Sequence, residues 1–471
     1  MEREASDLEG LDGRGARVIG VVGAGTMGSG IAQLVCKAGA RTLLHDPLPE
    51  ALVRGAENVR AGLEKEASKG KLTAEQAKQA AARLEPADSL EALSSCELVI
   101  EAAPERLDIK HELYGRLSRI VSEKCVLASN TSSLPITAVA AGATYPERVV
   151  GMHFFNPAPL MRLLEVIAGV LSDERALALA EATGLAMGKE VIRAADVPGF
   201  IVNRCNRPFG LEALRLLQER IADIETIDRI ARIGGGFRMG PFELSDLVGV
   251  DTGFDVSKSF YELSFGEPRW RPSPIQAQRV AAGLHGRKTG RGYYDYTGDG
   301  PHRPADPDPP TASADAIVEG VGPVADALRA LAAGASEPRI TVEGFGGTVD
   351  GEPFYAIAPL KLVEVTGEAG EIAFKGLGLH TERVQPAPGG VLARIVCQLI
   401  NESAFALGEG VGSAEDIDKG MMLGLSHPRG PFAWMEQIGA ENVLSTLQAL
   451  SDAYREERYR PAPALRRLAK S

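Results

Sequence analysis

RVIGVVGAGTMG occupies residues 17–28, where a run rich in β-branched residues leads directly into three closely spaced glycines. The run at 17–22 predicts a short buried strand. Apolar residues then recur at helical spacing, at Ile31, Ala32, Val35 and Cys36. A second apolar run at 42–45 ends at Asp46. Strand, glycine-rich turn, helix, strand and closing acid together form a dinucleotide-binding fingerprint, whereas the glycines alone would be weak evidence.

The three glycines have different expected tasks in that fingerprint. Gly23 permits the tight turn, Gly25 lets the backbone approach the pyrophosphate, and Gly28 lets helix and strand pack closely. The pyrophosphate is expected at the helix N-terminus, where Thr26 and Met27 complete the predicted cofactor-binding turn. The alternative is an ordinary glycine-rich turn followed by a chance aspartate.

The acid that closes the second strand distinguishes between two cofactors. Asp46 can accept hydrogen bonds from both ribose hydroxyls and would repel a 2′-phosphate. No Arg or Lys immediately follows it. The sequence therefore predicts NAD rather than NADP, bound by an α/β domain of Rossmann type.

A strand, a tight turn and a returning strand are predicted from GMHFFNPAPLMRLLEV at 151–166. His153 lies near the end of the first apolar run and Glu165 within the second. This arrangement would bring the imidazole and the carboxylate within hydrogen-bond reach, as a general base and the acid that orients it. The alternative is a partly buried histidine with an unrelated surface glutamate.

Two further polar residues stand where a bound ligand would meet them. Ser132 follows the strand predicted at 125–129, and residues just past strand C-termini line the ligand crevice of an open parallel sheet. Its alternative role is a cap for the helix from Leu134 onward. Asn203 falls on the first helix after the boundary at 197–199, where a ligand held between domains would meet it. Its alternative role is a bond to an interdomain backbone group.

Three cations, Lys65, Lys69 and Lys71, cluster at the break between two helices predicted within residues 47–85. Solvated helix ends of this kind are the commoner case. The functional alternative is contact with the phosphates of an anionic substrate handle.

The composition excludes several classes of protein. The 471-residue chain carries a net charge of −12, which argues against nucleic-acid binding. Its five cysteines lack CxxC spacing, so neither a metal site nor a disulfide framework is predicted. The N-terminus lacks the apolar core of a signal peptide, and no apolar run reaches the roughly eighteen residues of a membrane span. A soluble, cytoplasmic protein without membrane contact is expected.

Five segments follow from these patterns. We predict a disordered leader at 1–16, an NAD-binding Rossmann domain at 17–196 and a helical domain at 197–298. Residues 299–384 begin as a Pro/Asp-rich linker and continue as short helical and strand-like runs without recognisable chemistry. Residues 385–471 form a second helical domain. The predicted fold class is a Rossmann-type α/β domain followed by two related all-α domains.

The two helical domains are related by an internal repeat, in which residues 391–439 echo residues 200–249. The copies share a glutamate on the first helix, an Ile-Asp pair on the second and a Gly-Pro-Phe turn, at Glu212 and Glu402, Ile227-Asp228 and Ile417-Asp418, and Gly240-Pro241-Phe242 and Gly430-Pro431-Phe432. We align IVNR at 201–204 with LARI at 392–395, which leaves Asn203 without a counterpart. The first copy is therefore expected to serve the site and the second the structure.

Four motifs make the chain resemble the 3-hydroxyacyl-CoA dehydrogenase family over nearly its whole length: GAGTMGSGIA with Asp46, SNTSSL, GMHFFNPAPLMRLLEVI and PGFIVNR. The duplicated helical domain and the closing EERYRPAPALRRL are similar to the long bacterial form, which includes 3-hydroxybutyryl-CoA and 3-hydroxyadipyl-CoA dehydrogenases of aromatic and phenylacetate breakdown. The resemblance implies NAD-dependent oxidation of a (3S)-3-hydroxyacyl-CoA to the 3-oxoacyl-CoA, in fatty-acid or aromatic-compound degradation.

The resemblance also implies roles for individual residues. His153 would be the catalytic base and Glu165 its partner. Ser132, Asn156 and Asn203 would contact the substrate or the nicotinamide.

Further contacts are implied around the two ligands. Glu105, Lys110 and Lys288 of the RKTG motif would contact the cofactor, and Lys69 matches a position that contacts CoA. A serine of the CoA site in some relatives is Gly62 here, so that site is only partly retained.

Two other functions are compatible with this architecture. The β-hydroxyacid dehydrogenases combine a Rossmann and a helical domain but use a catalytic lysine, and no residues match that site better than His153 and Glu165 match theirs. A crystallin-like protein that binds NAD or CoA without turnover is the alternative outside enzymes, since fold alone does not determine function. The second helical copy is expected either to pack on the first in place of a dimer contact or to support a homodimer.

Overall fold

The computed structural model describes residues 15–332 and 337–470, and the chain divides into two compact units between Ile201 and Val202. Most of the predicted leader, residues 1–14, lies outside the described residues. Ala16 is described, and it is only 7% exposed, with its N–H donating to Thr183 Oγ1 at 3.1 Å. The predicted leader at 1–16 is therefore too long, because Ala16 already packs on the first unit.

The first unit is built on an eight-stranded sheet in the order β3-β2-β1-β4-β5-β6-β7-β8. Its strands are β1 Val18–Val22, β2 Arg41–His45, β3 Leu84–Pro86, β4 Leu98–Glu101, β5 Val126–Ser129, β6 Val149–Phe154, β7 Leu163–Ala168 and β8 Glu190–Ala195. The strands from β3 to β6 are parallel, whereas β7 pairs antiparallel with β6 and parallel with β8. The strand order reverses at β1, between β2 and β4, and open α/β sheets bind ligands at such a switch point.

Helices connect the parallel strands of this unit, as parallel pairing requires. They are α1 Thr26–Ala38, α2 Pro49–Ser68, α3 Ala74–Ala81, α4 Leu107–Ile120, α5 Ile136–Ala140 and α6 Glu174–Ala186. The predicted break within residues 47–85 is present, because Gly70 has a φ of 70° and Thr73 forms a capping box with Gln76. The predicted Rossmann-type domain is confirmed.

The second unit begins with the first helical copy. Its elements are α7 Val202–Cys205, α8 Arg207–Gln218, α9 Ile224–Arg229, the π-helical turn Ile230–Gly234, α10 Pro241–Val248, α11 Val250–Leu263 and α12 Pro274–Ala281. Apolar residues at helical spacing build its core, as predicted from the sequence.

A six-stranded sheet, which the sequence did not reveal, follows in the segment 299–384. Its strands are β9 Ile317–Gly320, β10 Arg339–Glu343, β11 Gly346–Val349, β12 Glu352–Tyr355, β13 Leu362–Val365 and β14 His380–Arg383, accompanied by α13 Pro323–Arg329 and α14 Glu368–Gly376. The strands lie in sequence order, with β10 to β13 antiparallel and the outer pairs parallel. This α/β layer is an addition to the two predicted all-α domains.

The second helical copy completes the unit and packs on the first through α8 and α15. Its helices are α15 Leu392–Gly408, α16 Ala414–Leu425, α17 Pro431–Ile438, α18 Ala440–Tyr454 and α19 Pro463–Leu468. The packing expected between the copies is thus present within one chain. No helix in the described parts of the chain is long and apolar enough to cross a membrane.

The register of the repeat differs by one residue from the alignment of IVNR with LARI. Arg204 forms ion pairs with Glu402 and Glu409 of the second copy. Arg394 forms the same pairs in return, with Glu212 and Glu219 of the first copy. Arg204 and Arg394 are therefore equivalent positions.

With this register, IVNR corresponds to VLAR at 391–394 and Asn203 corresponds to Ala393. Asn203 still lacks a counterpart, so the conclusion drawn from the repeat does not depend on the shift. The same spacing relates Asp228 to Asp418, each of which accepts two backbone N–H groups from the Gly-Pro-Phe turn that follows.

Glu364 joins the inserted sheet to the second helical copy. Its carboxylate is 2% exposed and accepts the N–H groups of Val391 at 2.6 Å and Leu392 at 2.8 Å, at the start of α15. Burial raises the pKa of Glu364 to about 7, although the two N–H donors act in the opposite direction.

Raising the pH from about 5 to about 7 is expected to lower the free energy of unfolding. The folded chain holds the Glu364 proton more tightly than the unfolded chain does, so protonation of Glu364 stabilises the fold. This stabilisation is complete below the pKa of the unfolded chain and is lost as the pH rises through the pKa of the folded chain. The loss is on the order of 3 kcal/mol. Urea denaturation across this range measures it. Burial also raises the pKa of Asp228 to about 7, so Glu364→Gln should reduce the dependence without abolishing it. An unchanged dependence in that variant would contradict the assignment.

Candidate active site

His153 and Glu165 face each other across the antiparallel pair β6 and β7, as direct register partners. His153 Nδ1 lies 2.6 Å from Glu165 Oε2. Glu165 is fully buried, and its other oxygen accepts the N–H of Ile201 at 3.0 Å. Because the carboxylate occupies Nδ1 and favours a proton there, Nε2 is the ring nitrogen left to exchange a proton with a ligand.

Aromatic rings support this imidazole. The ring of Phe155 lies 4.6 Å from that of His153 and the ring of Phe200 lies 5.8 Å away, both tilted. His153 is 5% exposed, so its ring is oriented by packing as well as by Glu165. The alternative, an unrelated surface glutamate, is wrong because Glu165 is buried and bonded to the histidine.

The glycine turn after β1 has the shape required by a dinucleotide. Gly23 has a φ of 98°, and a Cβ there would lie 2.5 Å from the Ala102 carbonyl oxygen. A Cβ at Gly28 would lie 1.7 Å from the Gly23 oxygen, so the helix could not approach with any larger residue. A Cβ at Gly25 would meet no atom within 4 Å. Gly25 therefore leaves open the space that a pyrophosphate would occupy at the start of α1, and the turn fits NAD.

Asp46 lines the cleft next to this turn. The cleft has a volume of about 580 Å³ and extends from Gly25 past Asp46 to the apolar side chains of Leu90 and Ile109. Asp46 Oδ2 accepts the N–H of Ala24 at 2.8 Å, so the same carboxylate also secures the turn. An acid, a turn rich in backbone N–H groups and an apolar wall suit the ribose, pyrophosphate and adenine of NAD.

Thr26 and Met27 open α1 beside this cleft, with Thr26 exposed and Met27 half-buried. Both positions are compatible with the predicted contact to the pyrophosphate, which stays a prediction.

Glu105 organises the loop after β5. Its Oε1 accepts the Thr131 hydroxyl at 2.6 Å and the N–H groups of Ser132 at 3.0 Å and Ser133 at 3.1 Å. Burial would raise the pKa of Glu105, but the Thr131 hydroxyl, the charge of Lys110 and the serine donors outweigh it and lower the pKa. Glu105 is therefore an ionised anchor for the SNTSS loop.

Lys110 stands behind Glu105. It is 1% exposed, with Nζ 2.5 Å from Glu101 Oε1 and 3.4 Å from Glu105 Oε2. Its charge stabilises two carboxylates beneath the loop, which gives Lys110 an indirect part in the site. Direct contact of Glu105 or Lys110 with the cofactor stays a prediction.

Ser132 is exposed at the tip of the same loop. The alternative role as a helix cap belongs to its neighbour, because Thr131 Oγ1 accepts the Leu134 N–H at 2.9 Å. The first N–H groups of α5 are bound instead by Asp196, at 2.7 Å for both Ile136 and Thr137. The Ser132 side chain is thus available to a ligand.

The remaining predicted residues are exposed on the first unit or belong to the second unit. Asn156 is exposed in the turn after β6, and Lys69 is exposed at the C-terminal end of α2. Asn203 lies on α7 of the second unit. Lys288 also belongs to that unit, where Nζ lies 2.6 Å from Asp251. Their contacts with ligands stay predictions.

Gly62, where some relatives have a serine of the CoA site, lies against a glutamine side chain. A Cβ at Gly62 would lie 2.1 Å from Gln33 Oε1 on α1, so the glutamine occupies the space of a side chain. Gln33 is held by Glu66, whose other oxygen pairs with Lys37 at 2.8 Å. The Gly62 substitution is therefore coupled to a buried polar cluster.

Sequence reasoning missed three residues that shape the site. Asn130 Oδ1 accepts the Phe154 N–H at 2.9 Å next to His153, Glu101 pairs with Lys110, and Asp196 caps α5. Glu101 ends β4 and Asn130 directly follows β5, and these positions at strand ends were the available signal. No cluster of potential metal ligands occurs in residues 15–332 and 337–470, and the five cysteines are free and buried.

Two glycine substitutions should separate cofactor binding from folding. Gly25→Val is expected to raise the Kd for NAD at least about tenfold with little change in thermal stability, because its backbone is extended and its Cβ enters open space. Gly28→Ala should lower both the NAD affinity and the thermal stability, because the Cβ of the new alanine would meet the Gly23 carbonyl oxygen. Calorimetric NAD titration and thermal unfolding measure the two effects. Normal NAD affinity in Gly25→Val would contradict the assignment.

Comparisons with known proteins identify the family of the chain. The 3-hydroxyacyl-CoA dehydrogenase NAD binding domain matches residues 18–197, and the C-terminal domain of the same family matches residues 199–296 and 389–471. The chain is 38% identical over 468 residues to the 3-hydroxyadipyl-CoA dehydrogenase of Escherichia coli K12, covering 96% of this chain and 97% of that protein.

Solved and shorter relatives give the same result. The crystal structure of 3-hydroxybutyryl-CoA dehydrogenase from Escherichia coli K12 superposes with a TM-score of 0.84 at 36% identity, covering 97% of this chain and 98% of that one. The 3-hydroxybutyryl-CoA dehydrogenase of Bradyrhizobium diazoefficiens is 38% identical over 283 residues, which is 60% of this chain and 96% of that protein.

The predicted fold class, the use of NAD and the predicted enzyme class are confirmed by these matches. The crystallin-like alternative and the β-hydroxyacid dehydrogenase alternative lose their support. Because the two domains of the family match residues 18–197, 199–296 and 389–471, the chain belongs to the family of NAD-dependent 3-hydroxyacyl-CoA dehydrogenases.

Proposed function

We propose that His153 is the general base in the oxidation of a (3S)-3-hydroxyacyl-CoA to the 3-oxoacyl-CoA, with Glu165 as the residue that positions it. The observation that carries this proposal is the 2.6 Å contact between His153 Nδ1 and a fully buried Glu165. Bound NAD supplies the acceptor for the hydride that leaves C3. His153 Nε2 takes the proton of the 3-hydroxyl group.

Glu165 contributes in two ways. It keeps the proton of the neutral imidazole on Nδ1, so that Nε2 has a free lone pair. When Nε2 gains a proton, the carboxylate stabilises the imidazolium at short range in a buried setting. In the reverse direction the protonated His153 returns its proton to the 3-oxo group. The thioester is not attacked, so the reaction needs no nucleophilic side chain.

The remaining predicted residues complete the proposal. Ser132, on the loop anchored by Glu105, and Asn203 bind the reacting part of the substrate, and Asn156 contacts the nicotinamide. Lys69, exposed beside Lys65 and Lys71, meets the phosphates of CoA. Lys288 contacts the cofactor only if it exchanges its Asp251 partner for a phosphate.

The substrate class is proposed from the relatives. The protein named for 3-hydroxyadipyl-CoA matches 96% of this chain, and the Escherichia coli K12 structure named for 3-hydroxybutyryl-CoA matches 97%. We therefore place 3-hydroxyadipyl-CoA and 3-hydroxybutyryl-CoA first among candidate substrates, in cytoplasmic degradation of fatty acids or aromatic compounds. The second helical copy replaces a contact that a single-copy chain would make in a homodimer.

The direct test is NADH formation by the purified full chain with NAD and either 3-hydroxybutyryl-CoA or 3-hydroxyadipyl-CoA. Turnover of at least one is expected, and kcat/KM for the two substrates ranks them. NADP provides a control, because Asp46 should repel its 2′-phosphate and make it a much poorer hydride acceptor for this enzyme than NAD. NAD binding without NADH formation from either substrate would overturn the proposal.

A further inference from the structure

A cavity inside the first helical copy has no role in the chemistry described so far. It has a volume of about 120 Å³ and lies among α8, α10, α11 and α12. Leu211 and Val248 provide apolar walls, and Arg207, Ser257, Gln276 and Tyr293 bring polar groups to it. A cavity of this size accommodates a small group at the end of a chain rather than a nucleotide.

Arg207 is the unusual member of this lining. Its Nε donates to the Asn203 carbonyl oxygen at 3.2 Å, one Nη reaches Ser257 Oγ at 3.5 Å, and the guanidinium lies 5.0 Å from the Phe260 ring centre. Among the residues that the structure describes, no carboxylate lies within ion-pair distance of Arg207. Burial lowers its pKa to about 10, and no neighbouring carboxylate offsets that effect.

The two arginines of the same unit that are almost completely buried are paired with carboxylates. Arg204 has Glu402 and Glu409, and Arg394 has Glu212 and Glu219. Burying a cation without a carboxylate partner is costly, so the half-buried Arg207 lining this cavity is suited to an anion that comes from outside the chain.

Tyr293 adds a second donor to the same cavity. Its hydroxyl is buried and has no hydrogen-bond partner within the described parts of the chain. Burial also raises the pKa of Tyr293 above its ordinary value, so it stays protonated and can donate. A guanidinium without a carboxylate partner and a phenol without an acceptor are complementary to a carboxylate, which offers acceptors only.

The second helical copy shows that the fold itself does not require this arrangement. In the register set by Arg204 and Arg394, Arg207 corresponds to Cys397, a fully buried residue. Gly253 and Ser257 correspond in the same register to Val443 and Leu447, both fully buried. The second copy fills with apolar side chains the positions that the first copy leaves polar or without a side chain. The polar cavity is therefore a property of the copy that also carries Asn203.

We propose that Arg207 binds the terminal carboxylate of a dicarboxylic 3-hydroxyacyl-CoA and thereby selects such substrates. The inference rests on the proposed function, because it takes Asn203 as a contact of the reacting part of the substrate. Arg207 lies four residues after Asn203, at the start of α8 beyond the turn that ends α7, and its Nε donates to the Asn203 carbonyl oxygen at 3.2 Å. In 3-hydroxyadipyl-CoA the terminal carboxylate is three carbon–carbon bonds from C3. A chain of this length would bring the carboxylate of a substrate whose C3 lies at Asn203 to the neighbouring Arg207, and Leu211 and Val248 would cover the intervening methylene groups.

The test compares 3-hydroxyadipyl-CoA with 3-hydroxyhexanoyl-CoA, which has the same chain length without the carboxylate. The full-length wild type is expected to favour the dicarboxylic substrate by about 10²-fold in kcat/KM. Arg207→Met should lower kcat/KM for 3-hydroxyadipyl-CoA by about 10²-fold and leave that for 3-hydroxyhexanoyl-CoA within about threefold. Activity on the hexanoyl substrate then shows that the variant is folded. Arg207→Lys should retain part of the preference.

The exposed Arg466→Met serves as the matched control and should keep the wild-type ratio. Equal kcat/KM for the two substrates in the wild type, or an equal loss for both in Arg207→Met, would overturn the assignment of Arg207 while leaving the dehydrogenase function standing. Absence of NADH from both substrates in the wild type would instead overturn the proposed function.

Discussion

Replacing His153 by glutamine is expected to lower kcat by about 10²–10⁴-fold while leaving NAD affinity nearly intact. Glutamine keeps the polarity of the position and can still donate to Glu165, but it has no basic nitrogen to accept the hydroxyl proton. The hydride cannot leave C3 readily while that proton stays in place. Steady-state NADH formation gives kcat, and calorimetric titration gives the Kd for NAD.

A histidine elsewhere provides the control for this experiment. His380, at the start of β14 in the inserted sheet, is half-buried and belongs to a different sheet from His153, so His380→Gln should retain wild-type kcat. Full activity in His153→Gln would remove His153 from the mechanism. A parallel loss of NAD binding would point to a folding defect instead.

The His153–Glu165 pair was predictable because it depends on local geometry. A strand, a short turn and a returning strand bring residues 153 and 165 together through backbone pairing alone, and the observed register places them directly opposite. The glycine turn was predictable for the same reason, since its tasks follow from backbone shape within a few residues.

The contacts around Glu105 were harder to predict because they join distant parts of the chain. Thr131 and Ser133 meet Glu105 only because β4 and β5 are neighbours in the sheet, and Asp196 reaches α5 from the end of β8. The pattern of a single sequence does not indicate which strands will be neighbours in the sheet, and therefore does not indicate which loops will meet.

The inserted sheet escaped prediction for a different reason. Its strands are short, and several contain glycine or proline, as in Gly346–Val349 and Glu352–Tyr355. Short runs of this kind do not show the alternation that marks a half-buried strand. The one-residue error in the repeat has a related cause, because Arg204 and Arg394 are fixed by ion pairs across the copies rather than by the apolar pattern.

Those reciprocal ion pairs hold the two copies together. Arg394 is fully buried and pairs with Glu212 and with Glu219, the latter at 2.7 Å, while its second Nη donates to the Tyr459 hydroxyl at 2.7 Å. Glu212 is 3% exposed. Removing the guanidinium would therefore leave a carboxylate without its cation in the contact between α8 and α15.

Arg394→Met is expected to lower the free energy of unfolding by about 3–5 kcal/mol in urea denaturation at neutral pH. Methionine fills part of the volume, so the loss arises mainly from the unpaired Glu212 charge, and adding Glu212→Leu should recover a substantial part of it. The surface variant Arg466→Met is the matched control, and its free energy of unfolding should stay within about 0.5 kcal/mol of wild type.

Arg204→Met should also lower the free energy of unfolding, because Glu402 is as buried as Glu212. The loss should be smaller than in Arg394→Met, since Arg269 remains 2.7 Å from Glu402 as a second cation. Losses below about 1 kcal/mol in both variants would mean that apolar packing alone joins the copies, and the ion pairs would then set only their register.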